Sequence, residues 1–252
     1  MTWESTKLKP RPEFFQESAA RCTCSSLASA SSARHSSGTG SSYRAMRRPQ
    51  PPTSGRWKSL WRFGIAAEFV LLISAVALAL ILFVLLRPVS RDLALLAVFF
   101  NLVTLAVEAV AALNLVAALF PLGNAKYLSA FQPEQLYAMA TLSVKSHSYG
   151  FGVALIFFGC ECLVLGYLIF RSGYLPKALG VLMQIAGLSY LTNSFALLLA
   201  PTFAGWIFPA ILVPAFVGEA SLCLWLLVKG VNGEKWKLQA SAQLTRSSAG
   251  AV

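Results

Sequence analysis

Five stretches of this chain have no polar rhythm. Across residues 64–86, 93–120, 147–170, 178–200 and 205–228 apolar residues run almost continuously, with no Lys or Arg. They lack both the two-residue alternation of a half-buried strand and the narrow stripe of an amphipathic surface helix. A helix of about 20 apolar residues crosses a bilayer, so each run predicts one membrane span. A membrane β-strand would alternate over about ten residues, which these runs do not. The links "RPVSRD" (87–92), "RSGYLPK" (171–177) and "PTFAG" (201–205) are short, and short links make neighbouring helices antiparallel. The predicted fold class is all-α, a polytopic transmembrane bundle with five spans. Pro133, followed by good helix formers, predicts a short interfacial helix or an extension of the third span.

Composition agrees with this. Of 252 residues, 56% are hydrophobic and 12% charged, against about a quarter charged in soluble domains. The net charge of +11 invites a nucleic-acid partner. That partner is rejected for the body of the protein, because the basic residues lie outside the apolar runs and orient a membrane protein instead. The lipid bilayer is the expected surroundings. With a cytoplasmic carboxy terminus, the inside receives Arg87, Arg91, Arg171, Lys177, Lys229, Lys235, Lys237 and Arg246, while the outside receives Lys126 and Lys145. Trp225, Trp236 and Lys237 suit the inner boundary.

Residues 1–58 break the pattern. The segment "RCTCSSLASASSARHSSGTGSSYRAMRRPQPPTSGRW" is rich in Ser, Arg, Gly and Pro and has no period, so disorder is expected. A disordered cytoplasmic tail is also expected over 238–252. The residues ahead of the first run hold the other eleven of 21 Lys and Arg. Five spans would place that charge outside, against the orientation set by the rest of the chain.

From about Ser59 onward the chain resembles the bacterial multi-pass membrane proteins grouped as domain of unknown function 4386. The resemblance rests on "LWRFGIAAEF", "FQPEQLYAMATLSVKSHSYGFG", "LVLGYLIFRSGYLPKALGVLMQIAGLSYL" and "VGEASLCLWLLVKGVNGEKW". It implies a bacterial inner-membrane location and an additional apolar helix ahead of the first run, six spans in all. Here the Ser/Arg-rich tail stands in that place, and a frameshift or wrong start accounts for it. The resemblance implies no activity.

Four of ten acidic residues fall within the spans: Glu68, Glu108, Glu161 and Glu219. A charged carboxylate at the bilayer centre costs about 3 kcal/mol on insertion scales. The favoured form is the neutral acid, hydrogen-bonded to a neighbouring helix. Such residues are candidates for proton relays or ion sites, and equally for interhelical locks. Asn101, Thr104 and Glu108 are three and four residues apart, which places them on one helical face directed into the bundle. Pro209 and Pro214 precede Glu219, and carbonyls freed by a kink beside a carboxylate can build a site.

The stretch "FFGCECLVLGYLIF" holds Glu161 between Cys160 and Cys162. Two residues apart on a helix, the cysteines point about 200° from each other and cannot share a metal. Gly152, Gly159 and Gly166 form a smooth seam, and Gly180, Gly187 and Ser194 repeat it in the next span. Small residues let membrane helices approach closely, so these two spans should pack seam to seam. Glu161 lies about 200° from Gly159 and should face a third helix or a cavity. His147 shares nearly the same face, about 20 Å away. There is no nucleotide-binding glycine loop, HExxH or GxSxG, so no enzyme, cofactor or metal is expected. The function expected is proton-linked or small-solute transport; the alternative is a membrane scaffold or accessory subunit.

Overall fold

The computed structural model describes residues 55–123 and 125–249, and among these there is no strand. The helices are α1 (Gly55–Leu86), α2 (Arg91–Ala117), α3 (Pro133–Ser172), α4 (Lys177–Leu199), α5 (Pro201–Ile207), α6 (Val213–Val228) and α7 (Gly233–Ala249). Single 3₁₀ turns lie at Lys126–Ala130 and Ala210–Leu212. Among the described residues, five segments are long and apolar enough to span a membrane: Ser59–Leu86, Arg91–Ala117, Pro133–Ser172, Lys177–Leu199 and Ala210–Val228. The expected tail, and the place of a sixth span, fall outside the described residues up to 54. Residues 55–58 belong to α1.

Local chemistry sets the helix ends. Ser90 caps α2 by accepting from the Leu93 amide at 3.5 Å, and Asp92 occupies the positive first turn. Pro133 opens α3, where its missing N–H costs nothing, and Gln132 and Gln135 form a reciprocal capping box. This cap fuses the expected interfacial helix with the third span. The 40-residue result is about 60 Å long, twice the roughly 30 Å of a hydrocarbon core. Gly173 ends α3 at φ 69° and Gly230 follows α6 at φ 65°, a left-handed backbone that favours glycine. The fifth apolar run is broken: α5 stops at Ile207, and the span resumes beyond Pro209, which offers no N–H to continue the ladder.

α3 is central, with α2 on one side and α4 on the other; α6 packs on α4, and α1 packs on α2. Bare glycine backbone lies between α3 and α4. A Cβ on Gly166 would stand 2.7 Å from the Gly180 carbonyl oxygen, and one on Gly187 would stand 2.7 Å from that of Gly159. At the end of the seam, Gly152 faces Leu197 rather than Ser194, which is buried nearby. Two further contacts extend the logic. Gly150 lies against Ala111 of α2, and Gly218 of α6 lies against the Leu182 carbonyl of α4.

The largest buried side chains gather at one end, around Leu86, Leu168 and Ile169. There the Leu85 carbonyl, in the last turn of α1, accepts two bonds. Tyr174 Oη donates at 2.7 Å and Trp236 Nε1 at 2.9 Å. The final carbonyls of a helix lack intrahelical donors, and these two side chains supply one of them. Burial raises the Tyr174 phenol above its ordinary range. The disorder expected over 238–252 is corrected here, because α7 runs through Ala249. Asn232 Oδ1 caps it by accepting from the Lys235 amide, and the Trp236 bond ties it to the bundle.

Candidate functional site

Three antiparallel helices bring the candidate residues to similar depths. Asn101 lies ten residues into α2 and Glu161 eleven residues before the end of α3, so each is about 15 Å from the Leu85 end. Asn101 Nδ2 donates to both Glu161 oxygens, each at 3.1 Å. Both side chains are buried, and Asn101 Oδ1 is buried with no partner. Glu161 therefore faces a third helix, on the side of α3 away from the glycine seam. It also lines a cavity of about 10 Å³, walled by Ala79, Leu82 and Leu86 of α1 and by Ala94 and Ala97 of α2. That is about the room one water needs.

A second carboxylate meets this region from the other side. Glu219 of α6 accepts a hydrogen bond from the Tyr190 hydroxyl of α4, and both are buried. Gly218 makes the approach possible, since its bare backbone rests on the Leu182 carbonyl and draws α6 onto α4. Phe158 of α3 packs edge-on against the Tyr190 ring, centroids 5.3 Å apart. Glu219 lies close enough for its charge to be felt at Glu161. Four helices thus place Asn101, Glu161, Tyr190 and Glu219 in one polar layer at mid-depth. Glu219 was visible in the sequence, but Tyr190 and Gly218 as its positioning residues were not. The only available signal was a lone tyrosine within an apolar span and a glycine beside a glutamate.

The rest of the predicted stripe separates. Thr104 is buried but donates to its own helix, to the Phe100 carbonyl at 2.9 Å, and so makes no bond across. Glu108 sits two turns beyond Asn101 and is half-buried. Cys160 and Cys162 are free thiols that do not form a pair, and no metal-holding group of three occurs among the described residues. His147 is buried, with Nδ1 unpartnered.

An all-helical chain with five membrane-length helices and a buried polar layer is a multi-pass integral membrane protein. It belongs to the family described as Domain of unknown function (DUF4386), whose model matches residues 54–230. It is also 30% identical over 168 residues to an uncharacterised protein of the archaeon Archaeoglobus fulgidus, covering 67% of this chain and 84% of that relative. Similarity is thus found outside bacteria. No solved structure matches the chain.

Proposed function

We propose that the protein couples proton movement to passage of a small solute across the membrane, with Glu161 and Glu219 as the exchanging carboxyls. One observation carries the reading. Two buried carboxylates from different helices lie at mid-depth, each accepting a hydrogen bond from a side chain of another helix, and Glu161 lines a water-sized cavity. Ionisable groups at membrane depth mark ion and proton pathways. A neutral donor such as Asn101 or Tyr190 can stay in place while the carboxyl gains or loses its proton. The role is that of a carrier, not an enzyme. The basic bias around Leu85 supports a cytoplasmic position for that end and for α7.

A second reading has its own support. Asn101 and Tyr190 satisfy the carboxyls across helices, which is also what a packing lock in a scaffold or accessory subunit requires. Labelling with a hydrophobic carbodiimide separates the two, because the reagent attacks protonated carboxyls. The protein in liposomes is treated across a pH series and mapped by peptide mass spectrometry. Labelling of Glu161 or Glu219 that fades as pH rises is the expected result. No labelling of either at any pH leaves the scaffold.

A further inference from the structure

A second group of titratable side chains lies nearer the far end of the bundle, and register brings it together. Trp61 Nε1 of α1 donates to the Leu115 carbonyl of α2 at 3.0 Å. Antiparallel helices advance in opposite directions, so seven residues further along α1 Glu68 comes level with Glu108. By helical period Glu68 shares the α1 face of Leu82 and Leu86, which line the cavity, and Glu108 shares the α2 face of Asn101. From α3, His147 acts electrostatically on Glu68. Its side chain is 9% exposed, and its Nδ1 is buried with no partner. Fourteen residues separate His147 from Glu161, so by helical period both occupy nearly the same face of α3. That face looks onto α1 and α2, as the Glu161 contacts and cavity walls show.

The groups form a column along the groove between α1, α2 and α3. His147 stands highest. Glu68 and Glu108 are about 10 Å beyond Asn101 along α2. The Asn101–Glu161 pair follows, and the cavity continues along α1 toward Leu86. Two half-buried carboxyls level with each other on neighbouring helices are not expected to ionise independently. The imidazole Nδ1 above them is buried and has no hydrogen-bond partner among the described residues, which leaves it open to give or take a proton.

We propose that Glu68, Glu108 and His147 form a second protonatable site, distinct from the mid-depth pair, whose occupant is a proton held in common by the two carboxyls and passed to or from His147. Its part as the entry station to Glu161 rests on the function proposed above; its occupancy does not. No metal is invoked, in keeping with the absence of a metal-holding group among the described residues.

The test is an infrared pH titration of the full chain in lipid nanodiscs. It follows the carboxylic C=O stretch and assigns each band by its loss in Glu68→Gln, Glu108→Gln or Glu161→Gln. The wild-type pair is expected to lose its protons in two separate steps. In either single Gln variant the remaining carboxyl is expected to titrate in one step, displaced by about one pH unit or more from both wild-type steps. His147→Gln, which keeps both carboxyls, is expected to displace the Glu68 step, and it serves alone if the Gln variants fail to insert. Glu68 and Glu108 bands that ignore each other and His147 overturn the proposal. Steps that move with sodium concentration at constant ionic strength also overturn it, because the occupant is then a metal cation. The Glu161 band is read in the same experiment. If it never titrates, the mid-depth function fails while the outer site stands.

Discussion

Replacing Gly180 by alanine tests how close the α3–α4 contact is. The added Cβ would lie 2.6 Å from the Gly166 carbonyl oxygen, 2.7 Å from the Phe170 nitrogen and 2.9 Å from the Phe170 Cα. All three are backbone atoms, so no side chain can swing aside. Ordinary contact begins at 3.4 Å, and α4 must therefore retreat from α3 by about 0.8 Å at this point. Overpacking of this kind costs about 1–3 kcal/mol. Alanine's better helix propensity returns about 1 kcal/mol, which leaves a net loss of about 0–2 kcal/mol. Gly64 is the control, because a Cβ there meets nothing within 4 Å; Gly64→Ala should be neutral or slightly stabilising. Unfolding in mixed micelles by added SDS, followed by circular dichroism, reads both variants. If Gly180→Ala unfolds at the same SDS fraction as Gly64→Ala, the backbone seam is wrong.

Four further outcomes follow from named contacts. Tyr190→Phe keeps the ring against Phe158 but removes the bond to Glu219, and is expected to cost about 0.6–1.7 kcal/mol in the same SDS titration; no change would show the bond to be idle. A double-mutant cycle of Asn101→Ala with Glu161→Ala should return a coupling in that same range of about 0.6–1.7 kcal/mol, and zero coupling contradicts the pairing. Trp236→Phe removes a donor to Leu85, so hydrogen exchange in α7 is expected to quicken, and unchanged exchange refutes the tether. Tyr174 gives a pH dependence. Its folded-state phenol is raised above the ordinary value of 10.0, so its contribution is complete below that pH and lost as pH rises through the folded value. Stability should fall above pH ~10 in the wild type and fall less in Tyr174→Phe, which itself loses about 1 kcal/mol at neutral pH. Equal alkaline loss in both proteins would contradict the assignment.

The spans were readable because lipid demands unbroken apolar runs, and that signal needs no knowledge of neighbours. The hairpin was readable for a similar reason. Gly159 and Gly166 on one helix and Gly180 and Gly187 on the next repeat every seven residues, and a short link gives them only one way to meet. The direction of Glu161 followed from its angle to Gly159. What it met did not: Asn101 is 60 residues away, and only the packing of Gly150 on Ala111 fixes that register. The meeting of Tyr190 with Glu219 was likewise not legible, because it depends on how α6 crosses α4 at Gly218. The end of the chain was misjudged for a different reason. Its polar composition resembled a tail, while α7 is capped by Asn232 and tied down by Trp236 bonding to a carbonyl 151 residues earlier.

That carbonyl also sets a timetable. Leu85 waits 89 residues for Tyr174 and 151 for Trp236. At synthesis rates of about 5–20 residues per second, the first donor arrives about 4–18 s after Leu85 leaves the ribosome's active centre, and the second about 8–30 s after. Throughout that interval the end of α1 lacks both side-chain donors, so the early α1–α2 hairpin has to hold without them until Tyr174 and then Trp236 arrive.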